Sequence, residues 1–246
     1  MATKQLIDPT LYGDRVASIY DTEYAPPDPT QVVGCLARLA KGGAVLELGM
    51  GTGRVALPLH AQGVPIEGVE LSGAMIEQLK SKPGGDQIPV VQGDFAEVCP
   101  AGPFTLIFAA YNTFFHLDTQ EKQIGCFRRM ADRLQPGGQF VIECFVPDPT
   151  RLAQDNAVET VEIHADKVWL AASKHDSVNQ TIIRSEIFLG GEGVQTFPIQ
   201  LRYAWPAELD LMARLAGLTL RERWSDWKGG AFGPRSRKHI SIYQAP

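Results

Sequence analysis

One short stretch carries the residue types and spacing to hold a nucleotide-like ligand. An apolar run, Val45-Leu46, leads into Glu47-Leu48, and then Gly49, Gly51 and Gly53 follow in a G-x-G-x-G pattern before Arg54. Glycine serves where a backbone turns tightly and passes close to a ligand that a Cβ would strike. The helix expected from Arg54 onward offers free N–H groups and the positive end of its dipole to the same place. A second apolar run, Ile66-Glu67-Gly68-Val69-Glu70, ends in another carboxylate. It stands where nucleotide-binding β-α-β units keep the acid that holds ribose hydroxyls. The pattern predicts a site for an adenosine-bearing cofactor.

The third glycine narrows the choice. Dinucleotide sites use G-x-G-x-x-G, whose last glycine lets helix and strand pack closely. Arg54 occupies that position, so the spacing speaks against a nicotinamide cofactor and an oxidoreductase.

Positioning such a loop requires a strand before it and a helix after it, and the chain supplies both repeatedly. Strands are expected over 44–48, 66–70, 89–92, 104–109 and 139–145, with helices over 54–62, 72–80 and 119–134 between them. Ser72 is the N-cap of the second of these helices, and Pro136-Gly137-Gly138 stops the third. Strands alternating with helices imply a doubly wound parallel sheet. Ahead of them, 12–24 and 31–40 read as helices, the first broken by Pro26, Pro27 and Pro29.

After Pro149 the pattern changes. Segments 158–164, 168–174, 180–189 and 195–203 are alternating or β-branched and separated by turn residues, which predicts an antiparallel meander. Pro206 then opens a helix with Leu209, Met212, Leu215 and Ala216 on one face, closed by Gly217, before strands over 218–224 and 238–244. The expected fold class is α/β: a doubly wound, Rossmann-like, seven-stranded sheet with an antiparallel strand insertion after strand five. Four parts follow: an N-terminal helical cap (1–43), a cofactor-binding core (44–150), a strand insertion over the acceptor site (151–204), and a C-terminal helix and strands completing the sheet (205–246).

Composition sets outer limits. The 246 residues carry a formal net charge of -5, with 44% hydrophobic and 21% charged residues. No basic footprint points to nucleic acid. The short cluster Lys228, Arg235, Arg237 and Lys238 reads as a solvated loop. Cys35, Cys99, Cys126 and Cys144 are scattered, without metal-ligand spacing, so no metal is expected. No leader-like or membrane-length apolar run is seen, and a cytoplasmic protein is expected. Monomer and homodimer both stay open.

The chain resembles the class I S-adenosylmethionine-dependent methyltransferases, whose first motif is commonly E/D-x-G-x-G-x-G. Glu47, Gly49, Gly51 and Gly53 match it. The resemblance places the ribose hydroxyls on Glu70 and the adenine on Asp94 and Phe95 in Gln92-Gly93-Asp94-Phe95. It also matches Leu134-Gln135-Pro136-Gly137-Gly138 to the L-x-P-G-G turn before strand five. The cofactor it implies is S-adenosyl-L-methionine, with Tyr20, Arg54, Leu71, Met75, Gly93, Ala110 and Tyr111 completing that site. Arg54 would hold the cofactor carboxylate, or else be a solvated arginine at a helix start.

A narrower similarity is to amino-sugar N,N-dimethyltransferases. Those enzymes carry a tyrosine before a Tyr-Asp pair near the N-terminus, a histidine after strand four, and a strand insertion. Here Tyr12 precedes Tyr20-Asp21, and Tyr111-Asn112-Thr113-Phe114-Phe115-His116-Leu117 follows strand four. The implied acceptor is a small molecule, met by Tyr12, Asn112, Phe115, His116 and Trp205, with His116 and Tyr12 as catalytic candidates. His116 would remove a proton from an ammonium or a hydroxyl. Phe114, Phe115 and Tyr111 read equally as core aromatics, and His116 and Tyr12 as structural residues. The resemblance favours transfer to nitrogen over oxygen or carbon; a binding protein that has lost transfer would look the same in sequence.

Overall fold

The computed structural model describes residues 7–23, 29–191 and 193–246. Its elements in chain order begin with helices α1 (Pro9–Val16), α2 (Tyr20–Glu23) and α3 (Thr30–Ala40). Then follow β1 (Val45–Leu48), α4 (Ala56–Ala61), β2 (Ile66–Glu70), α5 (Gly73–Lys80), β3 (Val90–Gln92), β4 (Phe104–Ala109), α6 (Gln120–Arg133) and β5 (Leu134–Phe145). Next come α7 (Pro149–Leu152), β6 (Asn156–Ile163), β7 (Lys167–Asp176), β8 (Thr181–Gly190) and β9 (Gly193–Arg202). The chain closes with α8 (Pro206–Leu215), β10 (Thr219–Trp224) and β11 (Lys238–Gln244).

Seven strands form one sheet in the order β10-β11-β5-β4-β1-β2-β3. β1 to β5 run parallel, and β11 and β10 add antiparallel on the β5 edge. Successive residues of a strand point to opposite faces, and the core divides accordingly. Leu46, Ile107, Phe140 and Ile142 pack on one face with Phe127 and Met130 of α6. Val45, Leu106, Phe108 and Val141 pack on the other with Val32, Leu36 and Leu59. Full burial of each such side chain contributes roughly 1.5–3 kcal/mol. Strand order reverses between β1 and β4, and ligands of open α/β sheets gather in the crevice beyond the strand ends at such a point.

The other four strands form a separate antiparallel meander, β6-β7-β8-β9. Phe188 and Phe197 on its inner face pack with Val16 of α1 and Met75 of α5. Outward residues such as Val158 and Ile163 are exposed.

Several local expectations are corrected. The single helix expected over 12–24 is two, α1 and α2, and Tyr24, Pro26 and Pro27 lie outside the described residues. Strand five begins at Leu134, not 139: Leu134 already pairs with Phe104, and Pro136-Gly137-Gly138 forms a bulge before Gln139 pairs with Leu106. The proline-glycine turn stops α6 but does not break the strand, because a bulge absorbs residues that cannot join the ladder. Leu209 and Met212 of α8 are buried as expected, whereas Leu215 is exposed.

Candidate active site

The ends of β1, β2 and β4, helix α1 and strands β8 and β9 enclose a cavity of about 350 Å³. The sheet contributes Gly49, Gly51, Glu70 and Leu71, with Met75 from α5 and Asp94 and Phe95 after β3. The second sheet contributes Arg184, Glu186 and Gln200, and Tyr12, Asn112 and His116 also line the space. A smaller cavity of about 40 Å³ holds Glu47, Arg54 and Ala110. It shares Tyr20, Gly49, Gly51, Tyr111 and Thr113 with the first, so the two adjoin.

The three glycines of the motif have different reasons. Gly51 has φ +57°, and a Cβ there would meet no heavy atom within 4 Å: its missing side chain opens onto the cavity. A Cβ on Gly49 (φ +66°) would stand 2.5 Å from Thr113 Cγ2, and one on Gly53 (φ +81°) would collide with Leu79. Gly53 lines neither cavity, so packing against α5 explains it, not close approach to a ligand.

Glu70 ties this loop together. One carboxylate oxygen accepts from Gly51 N–H at 2.7 Å and the other from Ser72 N–H at 2.8 Å. Burial raises its pKa, and the backbone donors work against that rise. Ser72 caps α5 and donates to Asp14 Oδ1 of α1 at 2.6 Å. Asp21 of α2 accepts from Thr52 Oγ1 at 2.7 Å and pairs with Lys82 at 2.6 Å. The two N-terminal helices are thereby tied to the glycine loop and to the start of α5.

Glu47 and Arg54 both line the smaller cavity. Glu47 is buried, and burial together with the Glu70 charge raises its pKa well above the ordinary value. Its Oε2 has no hydrogen-bond partner among the described residues. The Arg54 guanidinium lies 4.6 Å from the Tyr20 ring centroid and 5.7 Å from that of Tyr111.

These features are those of a known family. Residues 45–138 match the model described as a methyltransferase domain. The structure of the CcbJ methyltransferase from Streptomyces caelestis is 43% identical, with a TM-score of 0.92 over 97% of this chain and 99% of that one. The chain belongs to the methyltransferases. The cypemycin N-terminal methyltransferase of a Streptomyces species is 28% identical over 96% of this chain and 98% of its own. An amino pentose methyltransferase from Micromonospora echinaspora, solved with S-adenosylmethionine bound, is 19% identical with a TM-score of 0.70, covering 93% of this chain and 97% of that one, and shows a shared fold.

In this methyltransferase the loop after β4 is built under constraint. Tyr111 (φ +53°) and Asn112 (φ +66°) take left-handed backbone in succession, a conformation that costs of order 1–3 kcal/mol each for residues with a Cβ. Buried Glu143 holds the bend: its carboxylate accepts from Tyr111 N–H at 3.0 Å, and its carbonyl accepts from Asn112 N–H at 3.1 Å. The bend sends Thr113–His116, a single 3-10 turn, along the cavity. His116 is exposed along the cavity, and the surrounding protein pushes its pKa down to about 4. Burial likewise raises the Tyr12 phenol, and the Glu186 charge adds to that.

The residues expected at the site separate into groups. Tyr12, Tyr20, Gly49, Gly51, Glu70, Leu71, Met75, Asp94, Phe95, Tyr111, Asn112 and His116 line the main cavity, and Glu47, Arg54 and Ala110 the smaller one. Phe115 does not reach either: it is fully buried, packed edge-on against Phe145 at 4.9 Å, because a 3-10 turn points neighbouring side chains in different directions. Trp205 precedes α8 and is exposed, lining neither cavity. Gly93 lines neither; a Cβ there would stand 2.7 Å from Val98 Cγ2. Asn112 lines the main cavity, but its Oδ1 accepts from Phe145 N–H at 2.7 Å, a bracing contact to β5.

Four contributors escaped the sequence reading: Glu143, Arg184, Glu186 and Gln200. Glu143 was signalled only by a carboxylate inside an apolar strand. The other three sit in strands whose facing is decided by the fold.

Proposed function

We propose that this methyltransferase moves a methyl group from S-adenosylmethionine to the amine nitrogen of a small molecule. The observation that carries the reading is the pair in the smaller cavity: a buried Glu47 oxygen without a partner, and the Arg54 guanidinium. A carboxyl group and a guanidinium lining one cavity complement an α-amino acid end, its ammonium on Glu47 and its carboxylate on Arg54. The open space at Gly51 and the Glu70 carboxylate suit a ribose lying between the two cavities, and Asp94 with Phe95 suits the adenine. The residues therefore fit this cofactor.

Bound there, S-adenosylmethionine supplies a methyl group on a sulfonium, ready for in-line displacement. The chain's work is alignment, and orientation alone supplies roughly 7–11 kcal/mol in favourable systems. Tyr12 and His116 position the acceptor in the main cavity. An amine nucleophile needs its lone pair free, and His116, unprotonated at neutral pH, relays the proton toward water. Transfer to nitrogen is favoured because a relative matching along its whole length is named for N-terminal methylation.

Calorimetric titration with S-adenosylmethionine, S-adenosylhomocysteine and NAD, followed by labelled-methyl transfer to a panel of amines and alcohols, tests the reading. Binding of both sulfur compounds with label entering amines is expected. Label entering only alcohols overturns the choice of nitrogen, and binding of NAD alone overturns the cofactor.

A further inference from the structure

The wall of the main cavity that comes from β8 and β9 has chemistry of its own. Glu186 is 8% exposed, yet it lines the cavity. Its carboxylate accepts from Trp169 Nε1 and from Arg184 Nε, the latter at 2.6 Å. Arg184 is shared: its Nη1 donates to Glu159 at 2.7 Å. One guanidinium thus bridges the two carboxylates. The Glu186 charge reaches Tyr12, which stands beside His116.

Gln200 lines the same wall, and its buried Oε1 has no hydrogen-bond partner among the described residues. That oxygen accepts and cannot donate. Among the described residues the rest of the cavity is lined by the carboxylates of Asp8, Glu70, Asp94 and Asp118 and by one further cation, Lys122. Carboxylates outnumber cations around the space among the described residues. A buried carboxylate attracts a cation and disfavours an anion at close range, most strongly where water is scarce.

We propose that Glu186, with Gln200 on the same wall, is the acceptor-selecting wall of this enzyme, admitting an amine that arrives as an ammonium and excluding acceptors that also carry a carboxylate or phosphate. The inference rests on the reading of the protein as an amine methyltransferase and names the charge class of its acceptor. Glu186 holds the ammonium and Gln200 Oε1 takes a hydroxyl or N–H beside it. Arg184 fixes the Glu186 carboxylate and so acts as a positioning residue.

The test uses a matched pair of probes, the methyl glycoside of glucosamine and its 6-carboxylate, titrated into the protein saturated with S-adenosylhomocysteine. The neutral-ring amine is expected to bind about tenfold more tightly than its carboxylate. Glu186→Gln should bring the two within about twofold while S-adenosylhomocysteine affinity holds; loss of the Arg184–Glu186 ion pair should lower the melting temperature. Gln200→Leu should weaken the amine without changing the ratio. Equal binding of the two probes, preference for the carboxylate, binding of neither, or an unchanged ratio in Glu186→Gln each overturn the proposal while leaving the cofactor reading intact. Failure of the parent protein to bind S-adenosylhomocysteine overturns the reading beneath it, and the proposal with it.

Discussion

The rings of Tyr12 and His116 stand with centroids 6.1 Å apart and planes at 58°, both facing the main cavity. They are about a hundred residues apart in sequence, one on α1 and the other on the turn after β4. Their meeting follows from two sets of contacts. The Asp14–Ser72 and Asp21–Thr52–Lys82 links hold the N-terminal helices against the glycine loop, and Glu143 holds the bend that carries His116.

His116→Ala tests whether this ring does more than fill space. Proton-transfer groups contribute typically about 10²–10⁴-fold, and with its pKa lowered to about 4 His116 belongs at the low end. Turnover should fall by about 10²-fold while affinity for S-adenosylmethionine stays within about twofold. Single-turnover kinetics with the labelled donor would separate the two, and unchanged turnover makes His116 structural.

Gly51→Ala and Gly53→Ala should differ in kind. At Gly51 the added methyl faces open cavity, so the fold bears only the left-handed backbone cost of about 1–2 kcal/mol, while cofactor affinity drops by more than about tenfold. At Gly53 the methyl strikes Leu79, and the melting temperature should fall further than for Gly51→Ala. Melting curves beside calorimetry decide it; the reverse ranking of stability would sink the assignment.

Cofactor binding should release a proton. Burial and the Glu70 charge raise the Glu47 pKa well above the usual carboxylate range, which makes its ionised form costlier in the free protein. An ammonium placed against Glu47 stabilises the ionised form and lowers that pKa again. Titration in two buffers of different ionisation enthalpy measures the exchange. Release should vanish in Glu47→Gln, and the absence of any release in the parent would move the ammonium elsewhere.

Stability should decline on acidification through the histidines. Burial depresses His239 to about 3, below the 6.5 of the unfolded chain. Between those values the unfolded state binds a proton that the folded state refuses, so stability is full above pH 6.5 and falls as pH drops toward 3. The slope for one histidine approaches about 1.4 kcal/mol per pH unit. His116 has the same sign over 6.5 to about 4, softened by the water its cavity admits. Urea denaturation at several pH values, compared with His239→Gln, reads the effect; an identical slope in the variant removes His239 as its source.

The sequence alone determined the parallel sheet, the glycine loop with Glu47 and Glu70, the Ser72 cap and the four-stranded meander. These depend on side-chain periodicity, caps and turns, which act over a few residues and so leave a local mark. It also named Tyr12, Tyr20 and His116 together, but only through a resemblance. What the tertiary structure decided is which of these side chains share a space. Phe115 and His116 are adjacent, yet one enters the core and the other the cavity, because the strained Tyr111-Asn112 bend sets the turn's direction. Glu186, Arg184 and Gln200 read as ordinary residues of alternating strands until β8 and β9 are placed over the sheet ends. That placement depends on packing between Phe188, Phe197, Val16 and Met75, the first and last of them in sequence 181 positions apart. Burial of apolar surface has no directional signature in sequence, so the facing of these side chains became visible only in the folded chain.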